Sequence, residues 1–159
     1  MITVAVISDT HGNMTRLFPL NRWLKGVQGV WYAGDGCAER HLLEEQLGFP
    51  VAAVAGNCDE PGLCPLEEVV EVAGKRVLLT HGHLYKVKNG LSRLEARARL
   101  LGVEACIFGH THLPALLVKD GLTFFNPGSA VRPWGGYPPS YGLLHIGEGI
   151  LRPELRMIK

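Results

Sequence analysis

With 159 residues, 47% of them hydrophobic and 19% charged, the chain is expected to form one domain, residues 1–159, around a substantial core. A formal net charge of +1 excludes a sequence-indifferent coat for nucleic acid, because no positive field is present to collect polyanions. The apolar start from Ile2 to Ile7 lacks a basic flank and breaks at Ser8-Asp9. That is too soon for a signal segment or a membrane span, so no membrane partner is expected and the expected location is the cytoplasm.

In chain order, Thr3 to Ile7 is a continuous apolar run, as a strand covered on both faces requires. Met14 to Lys25 has helical spacing, with Leu17, Leu20 and Leu24 directed at the core. Val30 to Ala33 reads as a second strand, Glu39 to Leu47 as a short helix, and Val51 to Ala55 as a third strand. Val69 to Ala73 and Arg76 to Thr80 form a hairpin turned at Gly74-Lys75. Leu91 to Leu101, rich in Leu, Ala, Arg and Glu, is the clearest helix and is stopped by Gly102. Ala105 to Phe108 is a further strand. Asp120-Gly121 is a strong two-residue turn between Leu116 to Lys119 and Leu122 to Phe125. Tyr141 to Ile146 and Ile150 to Met157 close the chain. Strand–helix alternation followed by hairpins implies mixed sheets layered with helices outside. Pro133 to Pro139, with Trp134 and Tyr137, is the one irregular surface segment, read equally as a substrate mouth, a subunit contact or plain surface. Cys37, Cys58, Cys64 and Cys106 show no paired spacing and read as free thiols, with Cys106 a small buried hydrophobe.

The polar residues fall where the strands end. Ser8-Asp9-Thr10-His11-Gly12-Asn13 follows the first strand, Gly34-Asp35-Gly36 the second, and Gly56-Asn57-Cys58-Asp59 the third. Thr80-His81-Gly82-His83 ends the hairpin, and Gly109-His110-Thr111-His112 follows the next strand. Ligands of α/β sheets sit beyond the carboxyl ends of the strands. Residues two apart in an extended segment point the same way, so Asp9 with His11, and His110 with His112, can reach one centre. A lone Gly-Asp is usually a turn, and a lone His-x-His usually a structural pair. Their convergence on successive strand ends makes a metal site the stronger reading.

The candidate ligands are Asp9, His11, Asp35, Asn57, His81, His110 and His112, too many for one first-row ion and suited to two sharing a carboxylate. His83 stands between a structural and a functional assignment. Mixed nitrogen and oxygen donors suit two divalent ions, whether manganese, nickel, iron, cobalt or zinc, and do not choose among them. Ions roughly 3.5–4 Å apart clamp the attacking and leaving oxygens of a phosphoryl displacement and acidify water.

This series, D-x-H, G-D, G-N-x-[DE], H and G-H-x-H from Asp9 to His112, resembles the calcineurin-like metallophosphoesterase superfamily. The length and the Gly-Asn-Cys-Asp block are most similar to its small single-domain YfcE-type phosphodiesterases. Asn126-Pro127-Gly128-Ser129 is a further turn of that kind. The resemblance implies an α/β fold, a four-layer αββα sandwich of two mixed β-sheets, with the site between facing sheet edges. It implies a first metal on Asp9, His11 and His112, a second on Asn57, His81 and His110, and Asp35 bridging them. Asp59 would orient its preceding residue or a ligand imidazole, and Asn13 would hold a phosphate oxygen at a helix entry. The catalytic set implied is Asp9, Asp35, Asn57, His81, Asp59 and Cys58. Cys58 stands where many members carry the histidine assigned to leaving-group protonation; a soft metal ligand and a space-filling residue are its other readings. No acidic residue follows Asp35 closely. The function implied is a metal-dependent phosphodiesterase on a small-molecule phosphate ester, with a homo-oligomer open. The alternative is a protein-binding scaffold of the same fold, as in the retromer subunit, where ligand positions are partly replaced.

Overall fold

The computed structural model describes residues 1–13 and 20–158. The chain runs through β1 (Ile2–Ile7), α1 (Leu20–Trp23), β2 (Gly29–Tyr32), α2 (Arg40–Leu47) and β3 (Val51–Ala53). It continues through β4 (Glu67–Val72), β5 (Lys75–Thr80), α3 (Ser92–Leu101), β6 (Ala105–Ile107), β7 (Pro114–Lys119) and β8 (Leu122–Pro127). β9 (Ser140–Gly147) and β10 (Ile150–Met157) complete it. Of the helix expected from Met14 to Lys25, residues 14–19 lie outside the described residues; Asn13 is described, and its amide and its Nδ2 both donate to Thr10 O, at 3.1 and 3.3 Å.

The strands form two five-stranded mixed sheets, in the orders β10-β9-β1-β2-β3 and β4-β5-β6-β8-β7. β1, β2 and β3 are mutually parallel, as are β5, β6 and β8, while β9, β10, β4 and β7 pair antiparallel. Alternation along each strand divides the core into layers. Val4 and Val6 of β1 face Val77 and Leu79 of β5, with Ala105, Ile107 and Phe125, in the slab between the sheets. Ala5 and Ile7 turn the other way and pack with Leu43 of α2 and Leu24. On the far side, Leu78, Cys106 and Phe124 pack against Leu94 and Ala98 of α3. The result is the αββα sandwich.

Chain punctuation explains the element ends. Gly48 after α2 and Gly102 after α3 adopt left-handed backbone, at φ 78° and 67°, which lets their amides return to the last helical carbonyls. β7 lies at a sheet edge and leaves Leu116, Leu117 and Val118 exposed. Among the described residues no helix is long and apolar enough to cross a membrane.

Two cysteines differ from expectation. Cys37 and Cys64 form a disulfide between buried side chains, across 27 residues of chain, with their Cα atoms 6.4 Å apart. No short C-x-x-C spacing announces a pair that only the folded loops bring together. Cys106 is buried and free, and Cys58 is free and exposed.

Candidate metal centre

The loops that leave β1, β2, β3, β5 and β6 meet at one end of the sandwich. Backbone bonds tie them to each other: the Asp9 amide donates to Gly34 O at 3.0 Å, His11 to Asp35 O at 2.8 Å, and Gly109 to His81 O at 3.0 Å. Packing is close enough that glycine is required for space. A Cβ on Gly34 would lie 2.6 Å from His81 Nδ1, and one on Gly56 would lie 2.5 Å from the Asp35 amide nitrogen.

Asp9 is buried. Ser8 Oγ donates to its Oδ2 at 2.6 Å, and the His110 amide donates to the same oxygen at 3.1 Å. Its other oxygen, Oδ1, is buried without a hydrogen-bond partner and faces His112 Nε2 at 3.4 Å and His81 Nε2 at 3.7 Å. Burial raises the Asp9 carboxyl above its usual range, and His81 and Ser8 offset only part of that. Asp35 goes the other way. Burial again opposes ionisation, but the hydrogen-bonded His81 ring, the Cys58 amide and His11 together hold it well below the carboxylate range.

The rings are aimed by backbone carbonyls. His81 Nδ1 donates to Ala33 O at 2.8 Å, and His112 Nδ1 donates to Arg132 O at 2.6 Å, so Nε2 of each faces the centre. His81 Nε2 is 3.1 Å from Asn57 Oδ1 and 3.2 Å from Asp35 Oδ2. His11 Nε2 stands 3.2 Å from His112 Nε2 and 3.7 Å from Asp35 Oδ2. Ligand atoms therefore gather in overlapping groups: Asp9 with His11 and His112, Asp35 with His81 and His110, and His11 with Asp35 and Cys58. Lone pairs of nitrogen and oxygen facing one another, with Asp9 Oδ1 unpartnered, are what a divalent cation would satisfy. The residues fit such ions. Without them, burial opposes protonation of His81, but Asp35 and Asp9 outweigh it and raise that ring's pKa. His110 moves down to about 4, chiefly through burial and then through the His81 and Lys88 charges.

The remaining candidates separate clearly. Asp59 touches no imidazole in its hydrogen bonding; its carboxylate accepts the amides of Asp35 (2.9 Å), Gly36 (2.8 Å), Cys37 (3.1 Å) and Gly56 (2.8 Å). It shapes the Asp35 loop. Cys58, exposed as a residue, presents its amide to Asp35 Oδ1 at 2.8 Å, and its thiol sulfur gathers with His11 and Asp35 in the third ligand group. His83 lies beside the ligands, its ring 5.4 Å from His81, with a buried unpartnered Nδ1, but it joins none of the ligand groups. His41 pairs with Glu44 on α2, and His145 bonds Thr3 and Glu154, both outside the ligand groups.

Several supports lie outside the candidate ligand set. Asn126 Nδ2 donates to Gly109 O (3.1 Å) and Thr111 Oγ1 (3.0 Å), and Ser129 Oγ donates to Asp9 O (2.8 Å). Their Asn-Pro-Gly-Ser setting was the only available hint. Glu39, buried under the centre, accepts the hydroxyls of Thr10 (2.9 Å) and Tyr32 (3.2 Å), and burial raises its carboxyl pKa. It is an acidic residue four positions after Asp35, in the short turn Cys37–Glu39 that precedes α2.

Two depressions flank the ligands. One, of about 700 Å³, shares His110 and His112 with a wall of Val87, Lys88, Leu113 and Trp134. The other, of about 400 Å³, opens over His11, Asp35, Cys58, Glu60 and Arg132.

Residues 2–149 match the family described as the calcineurin-like phosphoesterase superfamily domain. The chain belongs to that superfamily. It is 36% identical to the phosphodiesterase YfcE of Escherichia coli over 169 aligned residues, covering 91% of this chain and 88% of that one. A predicted phosphoesterase from Streptococcus pneumoniae superposes with a TM-score of 0.83 at 26% identity, over 98% of this chain and 89% of that one. Wild-type Vps29 from Entamoeba histolytica, complexed with Zn²⁺, superposes with a TM-score of 0.77 at 26% identity, over 98% of each chain. The fold and the His/Asp clusters together support a metal-dependent phosphoesterase of this superfamily, close to the YfcE type.

Proposed function

We propose that the protein is a dinuclear metal-dependent phosphodiesterase that hydrolyses small phosphate esters in the cytoplasm. Asp9, His11 and His112 would hold one ion, Asn57, His81 and His110 the other, and Asp35 both, with manganese the expected metal. The observation that carries this reading is Asp35 Oδ2, which faces His11 Nε2 at 3.7 Å and His81 Nε2 at 3.2 Å, between two ligand groups. The relationship to YfcE supports the diester preference.

Two bound divalent ions would supply Lewis acidity, lowering the pKa of water and neutralising charge on the phosphoryl oxygens. The chain's own part is preorganisation. Asp35 stays ionised at all working pH values, and carbonyls fix the tautomers of His81 and His112. Asp59 holds the Asp35 loop to the Asn57 loop through three backbone amides and accepts a fourth, from Gly56, within its own loop, so the donor set keeps its shape. A purely scaffolding role would leave the buried Asp9 carboxylate half satisfied with no return for that cost. Homo-oligomerisation is compatible with the exposed β7 edge.

Elemental analysis after metal loading should give about two ions per chain, and Asp35→Asn should cut turnover of an aryl phosphodiester by at least about 10²-fold with the fold intact. Full turnover at one ion per chain would overturn the dinuclear assignment.

A further inference from the structure

The wall of the larger depression is built as deliberately as the ligand set beside it. Trp134 is 67% exposed, yet its place is set by the backbone: its amide donates to the carbonyl of His112 at 3.1 Å. Gly135 and Gly136 follow with left-handed backbone, at φ 65° and 77°, and Tyr137 N donates back to Trp134 O at 3.2 Å, closing a turn. A Cβ on Gly135 would lie 2.9 Å from Leu113 Cδ2, so the Trp134 turn rests directly on Leu113 of the same lining. Val87 and Phe108 form the floor, both buried, and Lys88 stands at the wall as the cation of the cavity lining. Its charge is felt at His110. An apolar cavity of about 700 Å³ that shares two ligand histidines is large for a bare phosphate and matches an organic group of ligand size. The opposite depression carries Arg132, Glu60 and Cys58 and is the more polar in its residues.

Resting on the phosphodiesterase reading, we propose that this groove is the seat for an aromatic ester arm of the substrate, an aryl or heteroaryl ring stacked on the Trp134 indole. Lys88 then faces the charge of the phosphoryl group, and the second ester arm leaves over the Arg132 side. The side chain at 134 is a specificity determinant. It is free of the metal ligands as a side chain and joined to them only through the main chain, so its ring can be removed without removing a ligand.

The test uses phenylphosphonate and methylphosphonate, which share one anionic head and differ in the ring. Calorimetry on the metal-loaded protein should show phenylphosphonate binding tighter by about tenfold, a base-stacking magnitude. Trp134→Ala should collapse that ratio to near one, and Trp134→Tyr should restore most of it. A ratio near one in the unaltered protein, or one that survives Trp134→Ala, would overturn the proposal. So would loss of bound metal on Trp134→Ala, which would make the residue a prop for His112. Light scattering on the same samples covers the remaining occupant: a fall in mass on Trp134→Ala would show the groove filled by a second copy and also overturn it. Because binding is read without turnover, ring-dependent binding in a protein that hydrolyses no diester would sustain this proposal while the hydrolase reading fell.

Discussion

Asp9, His11, Asp35, His110 and His112 all sit in left-handed backbone, with φ between 50° and 71°. Each such non-glycine residue costs roughly 1–3 kcal/mol and persists only where its surroundings over-determine it. The ligand identities were legible in the sequence because they fall in order at strand ends. The atoms that aim them were not, because the carbonyls of Ala33 and Arg132 belong to every residue type and leave no trace in a sequence. Protonation gives one prediction. His81, with its raised pKa, must lose a proton to bind metal, whereas His110, near 4, is already neutral. Metal affinity should therefore fall as pH drops below the His81 pKa, by about tenfold per unit for one displaced proton, and should level off above it. Competition titrations from pH 5 to 9 check this; a flat profile would contradict it. Cys58 gives a second. Burial and the Asp35 charge raise its thiol pKa, which makes it a poor proton donor. Aryl diesters, whose phenolates leave unprotonated, should turn over well, and alkyl esters weakly. Cys58→His should improve alkyl substrates by about 10²-fold and aryl ones little. Equal slopes of rate against leaving-group pKa in both proteins would reject the missing-acid account.

At the level of elements, the hairpin turned by Asp120-Gly121 shows why so much was readable. Both turn residues take positive φ, 48° and 78°, as a two-residue hairpin demands, and the strands on either side extend it by pairing Lys119 with Leu122. α3 is equally plain, with Gly102 ending it. The start of α2 was less so: Cys37–Glu39 is a separate 3₁₀ turn, which is how Glu39 comes to point beneath the metal ligands instead of lying on the helix. The disulfide was unreadable for a related reason. It joins the loop after β2 to the loop after β3, and so braces the segments that carry Asp35 and Asn57. Cross-linking 27 residues should be worth about 3–4 kcal/mol in chain entropy. Cys37→Ala, or reductant, should lower the denaturation midpoint accordingly and loosen metal binding with it. An unchanged midpoint in reductant would show that the bond contributes nothing in solution.

Across the whole molecule, the seven donors are split between the sheets. Asp9, His11, Asp35 and Asn57 hang from the β1–β3 side, and His81, His110 and His112 from the other. His145, on β9 and bonded to Glu154, lies apart from them, so His145→Ala should leave metal content and turnover intact and cost less than about 1 kcal/mol. Damage equal to that of His112→Ala would displace the site. The layered architecture followed from strand–helix order, but the seam between the sheets follows from alternation that places Val6 against Val77 and Leu79. That seam closes differently at its two ends. At the ligand end, ions would stitch the sheets together like a rivet, whereas at the opposite end, among the described residues, the sheets meet through apolar packing in which Ile2, Val4, Val70 and Val72 take part. Hydrogen–deuterium exchange should make the difference visible: chelation would speed amide exchange at Gly34, Gly109 and their neighbours by the lost binding energy, while the Ala73-Gly74 and Glu148-Gly149 turns keep their rates. The sandwich would then breathe from one end, like a book whose clasp has been undone and whose spine still holds.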